Sequence, residues 1–445
     1  MGQAFDSKLA MVRGLIEQAP DSAIRSLQIA LSADGGHDAA LSRVQQVVEV
    51  EAAERRARNL TFAPVAGLCA PPGPFSRLTF PPRTLSLMWR ALKETAADDV
   101  VAARALADDW RQDEHSAEAF DKLCALAAEG LRSRAPASFA RAAECADAGG
   151  GAETLAACLD LAAITRLALD KLPEWLGRMN SEKAATLRLA YRDVVTMADD
   201  GGPRFFEMLA APLTEPWLIL RVISGEMDRP NETYLAASEL ASFGERVLED
   251  IERRVAEVTS FKQADGEKAA HAAAAAVHWA TIEIVEFELC VALTPDGDWG
   301  RRMARAKQTL AATIEANLKA TDDAVGAALP LQPMRLGPRT VRGVPRLSHP
   351  PDQALVAKAR TLLVFMSEVR SSAAAGGFAS ARAKAQEVLD ERLDTYVEDI
   401  LETIRSEEAA DKDRARTFLS IAAEFCGLSR DEKAAQIVRR RAAAT

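Results

Sequence analysis

The chain has 445 residues, of which 48% are hydrophobic and only 5% are aromatic, and its formal net charge is −10. This acidic balance opposes non-specific nucleic-acid binding, and no uncharged apolar run is long enough to span a membrane. Alanine dominates the apolar share. Because alanine is the strongest helix former and sheet-favouring residues are sparse, the composition predicts an all-α fold. The expected form is a multi-helical bundle or a short α-solenoid.

The first 18 residues form an amphipathic pattern that charge interrupts every few positions, so they lack the apolar core of a secretion signal. The cysteines stand isolated, without a C-x-x-C pair, at Cys69, Cys124, Cys145, Cys158, Cys290 and Cys426. This spacing fits neither a zinc site nor a redox motif. We therefore expect a cytoplasmic protein without a cofactor, in which the cysteines are small buried side chains.

Residues 60–83 interrupt the helical pattern, because their prolines lack backbone N–H donors and favour extended backbone. The segment is nevertheless apolar, and its side chains have nothing local to bury against. These side chains are Phe62, Val65, Leu68, Phe75, Leu78 and Phe80. We therefore predict an extended arm that docks on helices.

Helical patterns follow this arm along most of the chain. Between residues 98 and 176, short alanine-rich helices are separated by turns at residues 134–136 and 149–151. Residues 236–260 and 381–406 are longer and repeat apolar side chains every three or four positions, which is typical of amphipathic helices. Their wide apolar faces could pair within the chain or across a homodimer.

One helical segment could hold a metal ion. Glu267 and His271 are one turn apart on a common helix face, so a metal could bridge them. His278 lies about 10 Å further along the axis, at about 1.5 Å per residue, which is too far to join the same ion. The alternative is that these polar residues simply border an alanine-rich packing face.

Two helix starts are predicted from capping residues. Residues 295–300 resemble a calcium loop only in part, since Lys307 stands where such a loop needs glutamate, and we expect a turn in which Asp298 or one of its neighbours caps the next helix. Near residue 430, Ser429 and Glu432 have the spacing of a capping box.

Residues 329–352 form a second proline-rich, apolar segment, for which we again predict an extended arm docked on helices. Its apolar side chains are Leu331, Met334, Leu336, Val341, Val344 and Leu347. It also carries four arginines and no acidic residue before Asp352: Arg335, Arg339, Arg342 and Arg346. These arginines could recruit an acidic partner or pair with acidic helices of the same chain.

When the two arms are aligned without gaps, Leu60 matches Leu329 and Pro64 matches Pro333. Each arm also ends in Arg-Leu-[Thr/Ser]-x-Pro-Pro before a helical pattern. An internal duplication is one explanation, and chance matching between proline-rich segments is the other. Duplication predicts an N-terminal lobe at residues 1–176, a central segment at 177–269 and a C-terminal lobe at 270–445. The equivalent residues Arg77 and Arg346 would anchor the arms or bind a ligand.

Residues 421–441 resemble the helix-turn-helix motif, with Gly427 at the turn and a basic end to the second helix. The resemblance implies DNA binding through Arg439, Arg440 and Arg441. Lys433 and Gln436, however, occupy positions that the motif needs to be apolar. The alternative is a helical hairpin whose basic end is solvated.

No catalytic motif is visible in the sequence, and the few histidines leave little room for acid–base chemistry. The pattern favours a non-catalytic scaffold, adaptor or regulatory protein that acts through contacts with a protein partner. An enzyme whose active site leaves no linear motif is one alternative, and a DNA-binding regulator is the other.

Overall fold

The computed structural model describes residues 11–16, 19–33, 39–71, 75–108, 114–335, 341–405 and 412–444. Throughout these ranges the chain is helical, apart from connecting segments and one two-stranded sheet, which confirms the all-α prediction. Among the described helices, none combines the length and the apolar character needed to cross a membrane. All six cysteines are buried and free, as the sequence predicted.

The chain divides into two compact units. The first is Met1–Asp228 with Ser238–Leu240, and the second is Arg229–Ala237 with Ala241–Thr445. This boundary falls inside the central segment expected at residues 177–269. Within that segment, residues 177–228 and 238–240 belong to the first unit, and residues 229–237 and 241–269 belong to the second.

The first unit contains helical residues 11–16 and a series of helices joined by short connections. Two 3₁₀ helices, Gly67–Cys69 and Pro216–Leu218, also belong to it. Its helices are α1 (Asp21–Ala33), α2 (Ala39–Thr61), α3 (Ala63–Ala66), α4 (Arg83–Thr95), α5 (Ala97–Asp108), α6 (Glu114–Ser133), α7 (Ala137–Asp147), α8 (Ala152–Asp160), α9 (Ala162–Leu176), α10 (Ser181–Met197), α11 (Gly201–Ala210) and α12 (Ile219–Met227).

The second unit contains longer helices and the sheet. The predicted long helices are present as α14 and α18, and both pack on other helices of this unit. The elements are α13 (Glu232–Ala236), α14 (Ala241–Ser260), α15 (Glu267–Cys290), α16 (Asp298–Ala328), β1 (Leu331–Arg335), β2 (Val341–Pro345), α17 (Gln353–Glu368), α18 (Ala379–Arg405), α19 (Lys412–Ser429) and α20 (Glu432–Ala443). The 3₁₀ helices are Gln263–Asp265 and Val369–Ser372.

The first proline-rich segment docks on its unit as predicted, but much of it is not extended. Helix α3 and the following 3₁₀ helix occupy residues 63–69, because Pro64 lies in the first turn of α3, where a helix needs no N–H donor. The predicted apolar side chains are buried, apart from the half-buried Leu78. After residue 75 the chain is irregular, and Thr79 accepts a hydrogen bond of 2.9 Å from the backbone of Gly150.

The second proline-rich segment is a β-hairpin, in which β1 pairs antiparallel with β2. Pro333 faces Gly343, and Pro345 faces Leu331. The backbone N–H of Arg346 donates a hydrogen bond to the carbonyl oxygen of Pro330, and hydrogen-bonded and non-hydrogen-bonded pairs alternate along the hairpin from there. Pro333 and Pro345 both fall at non-hydrogen-bonded pairs, where the N–H of an ordinary residue would point away from the partner strand. These two prolines therefore remove no hydrogen bond between the strands.

The hairpin is less buried than predicted, since Leu331 and Met334 are 44% and 43% exposed. Leu336 and Arg339 lie outside the described residues. Arg342 forms ion pairs with Asp399 and Glu402 on α18, which is the within-chain pairing that the sequence analysis offered as one alternative.

The structure gives no support to the expected internal duplication. Residues 63–66 are helical, whereas the corresponding residues 332–335 lie in strand β1. The flanking helices also pack differently, because α16 runs along α17 while α2 packs mainly on α5 and α1. The matching prolines therefore reflect similar composition and not a shared path.

Glu232 caps the longest helix of the second unit from a distant position in the chain. Its carboxylate is only 4% exposed and accepts hydrogen bonds from the backbone N–H groups of Trp299 (2.7 Å) and Gly300 (3.3 Å). It also accepts bonds of 3.0 Å from the backbone and the hydroxyl of Thr294. The N-cap position of α16 is held by Gly297, a neighbour of Asp298, and α16 begins at Asp298 itself. Glu232 therefore supplies the side-chain cap that Gly297 cannot.

Two glycines make room for this cap. A Cβ atom on Gly297 would overlap the Glu232 carboxylate, and one on Gly300 would overlap the carbonyl oxygen of Thr294. Gly297 has an ordinary φ of −70°, so space and not backbone conformation requires glycine there. The Pro-Asp-Gly-Asp-Trp-Gly sequence is therefore a turn that receives a carboxylate of the same chain.

Candidate functional site

The first helices of the first unit form a small apolar cluster of their own. Helical residues 11–16, α1 and α2 meet around the buried side chains of Ile16, Ile24, Val48 and Ala52. Half-buried residues surround these four, including Val12, Val44 and Val47. Because Val44, Val48 and Ala52 are four residues apart, they place one stripe of α2 against this cluster.

Arg55 on α2 connects the first helical segments to one another. Its guanidinium donates hydrogen bonds to the carbonyl oxygen of Ile16 (2.9 Å), the last of helical residues 11–16, and to that of Ala19 (2.7 Å). The same group pairs with Asp21 at 2.8 Å and with Glu51 at 2.7 Å. The chain before α1 is thus held against α2 by a buried, charged side chain.

A groove of about 680 Å³ lies between helical residues 11–16 and α2. It is several times larger than two other cavities, of about 210 and 150 Å³. The residues that line it are Arg13, Ile16, Arg43, Gln46, Val47, Val50, Glu51 and Glu54. Val50 is 47% exposed, so an aliphatic side chain of the groove stands open to solvent.

The charged residues of the groove differ in exposure. Glu51 is bonded to Arg55, and Glu54 is bonded to Lys93 and to the indole N–H of Trp89. Both carboxylates are half-buried, whereas Arg13 and Arg43 are exposed. The two arginines are therefore the more exposed charged side chains of the groove.

This chemistry suits recognition of an apolar surface with polar edges. Three aliphatic side chains form the middle of the groove, and guanidinium, amide and carboxylate groups border them. The groove's two carboxylates, of Glu51 and Glu54, are both bonded to cations of the same chain.

No family model, curated protein or solved structure matches this chain.

The two arginines singled out from the arms do not form equivalent sites. Arg77 is exposed in the irregular part of the first segment. Arg346 is also exposed, and its backbone N–H bonds to the carbonyl oxygen of Pro330 at the end of the hairpin. The two residues are placed by different local structures, so neither repeats the setting of the other.

Glu267 and His271 lie on α15 but turn to different partners. The carboxylate of Glu267 is 3.6 Å from Arg360, and Nδ1 of His271 is 3.5 Å from the carboxylate of Glu368. No group of three or more possible ligands among the described residues could hold a metal ion. Each predicted metal ligand thus has an ionisable partner on a neighbouring helix.

The C-terminal residues do not form the turn that the helix-turn-helix resemblance requires. Gly427 lies inside α19, and the N-cap of α20 is Asp431, whose side chain accepts a bond of 2.8 Å from Ala434. The predicted capping box is therefore wrong, because the Ser429 hydroxyl bonds to Cys426 instead. The start of a helix near residue 430 is confirmed, at Glu432.

The basic end of α20 is partly neutralised by carboxylates. Arg439 pairs with Glu432 at 2.6 Å, and Arg441 pairs with Glu398 at 2.6 Å. Arg440 is exposed. Two of the three arginines are thus engaged within the chain, which weakens the case for a phosphate-binding patch.

A buried carboxyl group lies between α14 and α15. Glu283 has no solvent exposure, and its carboxylate is 2.8 Å from Nε of Arg254, which also reaches Asp250 at 3.0 Å. Burial raises the pKa of Glu283 to about 8, and the nearby Asp250 carboxylate adds to the rise while Arg254 opposes it.

This carboxyl group should make the stability of the second unit depend on pH. In the unfolded chain Glu283 ionises near its ordinary pKa, so between pH 4.5 and 8 the folded state binds more protons and stability falls as the pH rises. We expect Glu283→Gln to remove a loss of about 2 kcal/mol between pH 6 and pH 8.

Thermal unfolding at pH 6, 7 and 8 measures this effect. Glu288→Gln is the matched control, because Glu288 lies on the same helix but is exposed and paired with Lys307. Parallel pH profiles for the wild type and Glu283→Gln would show that Glu283 is ionised in the folded protein.

The groove was not predicted from the sequence. Its signal lay in α2, where Val50 falls off the stripe formed by Val44, Val48 and Ala52. A helix with apolar residues on two faces has more apolar surface than one contact buries. The packing partner of each face, however, is not encoded in the local pattern.

Proposed function

We propose that this chain is a non-catalytic adaptor that binds a protein partner in the groove between helical residues 11–16 and α2. The observation that carries the proposal is a groove of about 680 Å³ with an exposed aliphatic side chain, Val50, between charged edges. Contiguous apolar surface with a polar rim marks interaction sites on proteins.

The walls of the groove also support a recognition role. Arg55 on α2 donates hydrogen bonds to the carbonyl oxygens of Ile16 and Ala19 before α1 and to Asp21 in α1, so the two walls are fixed relative to each other. A preformed groove loses less conformational entropy on binding than one that must be assembled.

Site-specific photo-crosslinking in the native cell tests the proposal. A benzoylphenylalanine residue replaces Val50 in one variant and Val101 in the other, since Val101 is a 63% exposed valine on α5 outside the groove. We expect a discrete adduct with one protein at position 50 that is missing at position 101. Identical adduct patterns at both positions, or no adduct at position 50, would contradict the proposal.

A further inference from the structure

We infer that α15 pairs in antiparallel orientation with α15 of a second copy of this chain. The inference goes beyond the proposed function, because α15 contains none of the residues that line the groove. Three features of α15 carry it: the apolar character of its exposed face, the spacing of the residues on that face, and the charges at the two ends.

The exposed face of α15 is apolar, while its buried face carries carboxylates. Glu283 and Glu286 are buried where α15 packs on α14 and α17. Val285 and Leu289, by contrast, are exposed, Leu289 to 63%. Between residues 269 and 287, all of which the structure describes, no exposed or half-buried position holds a carboxylate, a lysine or an arginine. Such a contiguous apolar face on a helix marks an interaction surface.

The residues of this face have the spacing of a coiled-coil seam. They are His271, Ala275, His278, Ile282, Val285 and Leu289, which are alternately four and three positions apart. We call these six residues the seam. The a and d positions of a heptad repeat in this way, and they pack against a helix with the same repeat. The seam spans about 27 Å at about 1.5 Å per residue, and a second copy of α15 has the same repeat over the same length.

An antiparallel second copy fits the seam because small and polar residues then face aliphatic ones. The spacing is symmetric about Ala280, as a two-fold axis between identical helices requires. The facing pairs are Ala275 with Val285, His278 with Ile282, and His271 with Leu289. Each layer thus combines one large aliphatic side chain with a small or polar one, which keeps the packing even. In a parallel pair, Ala275 would face Ala275 across a gap.

The charges at the ends of the seam favour the same orientation. At one end, the carboxylate of Glu368 lies 3.5 Å from Nδ1 of His271. At the other end, the guanidinium of Arg229 donates a hydrogen bond of 3.4 Å to the backbone carbonyl of Glu288. Antiparallel pairing brings the Glu368 end of each copy to the Arg229 end of the other, so opposite charges approach at both ends of the seam. The antiparallel helix dipoles also attract each other.

Sedimentation equilibrium of the full-length chain tests whether the seam associates. We expect a monomer–dimer equilibrium with a Kd of about 1 to 100 µM. The Val285→Lys, Leu289→Lys double variant should raise the Kd more than about a hundredfold, because it places like charges in a desolvated seam. The Val388→Lys, Ile437→Lys double variant is the matched control, since both residues are exposed aliphatics of the second unit outside the seam. Far-UV circular dichroism confirms that both variants fold.

Cysteine crosslinking tests the orientation. The six native cysteines are buried, so a short bis-maleimide reacts first with cysteines introduced on the exposed face. A mixture of the Ala275→Cys and Val285→Cys proteins should give a crosslinked dimer that contains one of each. Ala275→Cys alone should not crosslink, because its two copies would lie about 15 Å apart along the helices at about 1.5 Å per residue.

Two results overturn the inference, and a third overturns the orientation. A wild-type chain that remains monomeric at about 100 µM shows that the seam does not associate at this affinity. A dimer that persists in the Val285→Lys, Leu289→Lys variant shows that the copies meet elsewhere. Crosslinking of Ala275→Cys with itself, without the mixed product, shows that the helices are parallel.

Discussion

Replacing Glu232 by alanine should lower the free energy of unfolding of the second unit by about 4 kcal/mol, because four donors lose a buried carboxylate. Three of these donors are backbone N–H groups, of Thr294, Trp299 and Gly300, and two of the three belong to the first turn of α16. A carboxylate at that position also interacts favourably with the positive end of the helix dipole. Urea denaturation followed by far-UV circular dichroism measures the change.

Glu288→Ala serves as the control for Glu232→Ala. Glu288 belongs to the same unit, but it is exposed and its single ion pair with Lys307 should contribute less than about 1 kcal/mol. Glu232→Gln should fall between the two variants, since it keeps the shape and one acceptor but replaces the other acceptor by a donor. A Glu232→Ala protein as stable as the Glu288→Ala protein would show that α16 does not depend on this cap.

Arg166→Ala should destabilise the first unit by about 3 kcal/mol. The Arg166 side chain is 6% exposed and donates hydrogen bonds to the carbonyl oxygens of Leu60 (2.5 Å) and Thr61 (2.9 Å) at the end of α2. It also pairs with Asp121 at 2.9 Å and lies over the ring of Phe120. Truncation would leave a half-buried carboxylate and helix-terminal carbonyl groups without their cation.

Arg132→Ala is the matched comparison for Arg166→Ala. Arg132 also bonds to two carboxylates in the first unit, those of Glu153 and Asp160, but both ion pairs face solvent. Its removal should cost less than about 1 kcal/mol in the same urea experiment. Equal losses for the two variants would mean that the buried position of Arg166 carries no extra stability.

The sequence predicted the helices and turns that depend on patterns of neighbouring residues. Apolar residues at three- and four-residue intervals indicated α14 and α18, and glycine-rich residues 149–151 indicated the turn between α7 and α8. The proline rule failed at Pro64, because proline disfavours the interior of a helix but fits its first turn, and the sequence alone did not mark where that turn begins.

Long-range contacts account for what the sequence did not predict. Glu232 is 67 residues from the Trp299 backbone group that it caps, and Arg166 is 106 residues from Leu60. Neither residue belongs to a spacing pattern, because the partners meet only after the helices pack. The groove has the same origin, since Arg13 and Val50 come from separate helical segments that Arg55 holds together.

Sequencing the adduct formed at position 50 in the native cell tests the groove most directly. We predict one partner segment that is crosslinked at position 50 and is missing from the Val101 control. No adduct at position 50, or the same segments recovered from both positions, would contradict this account.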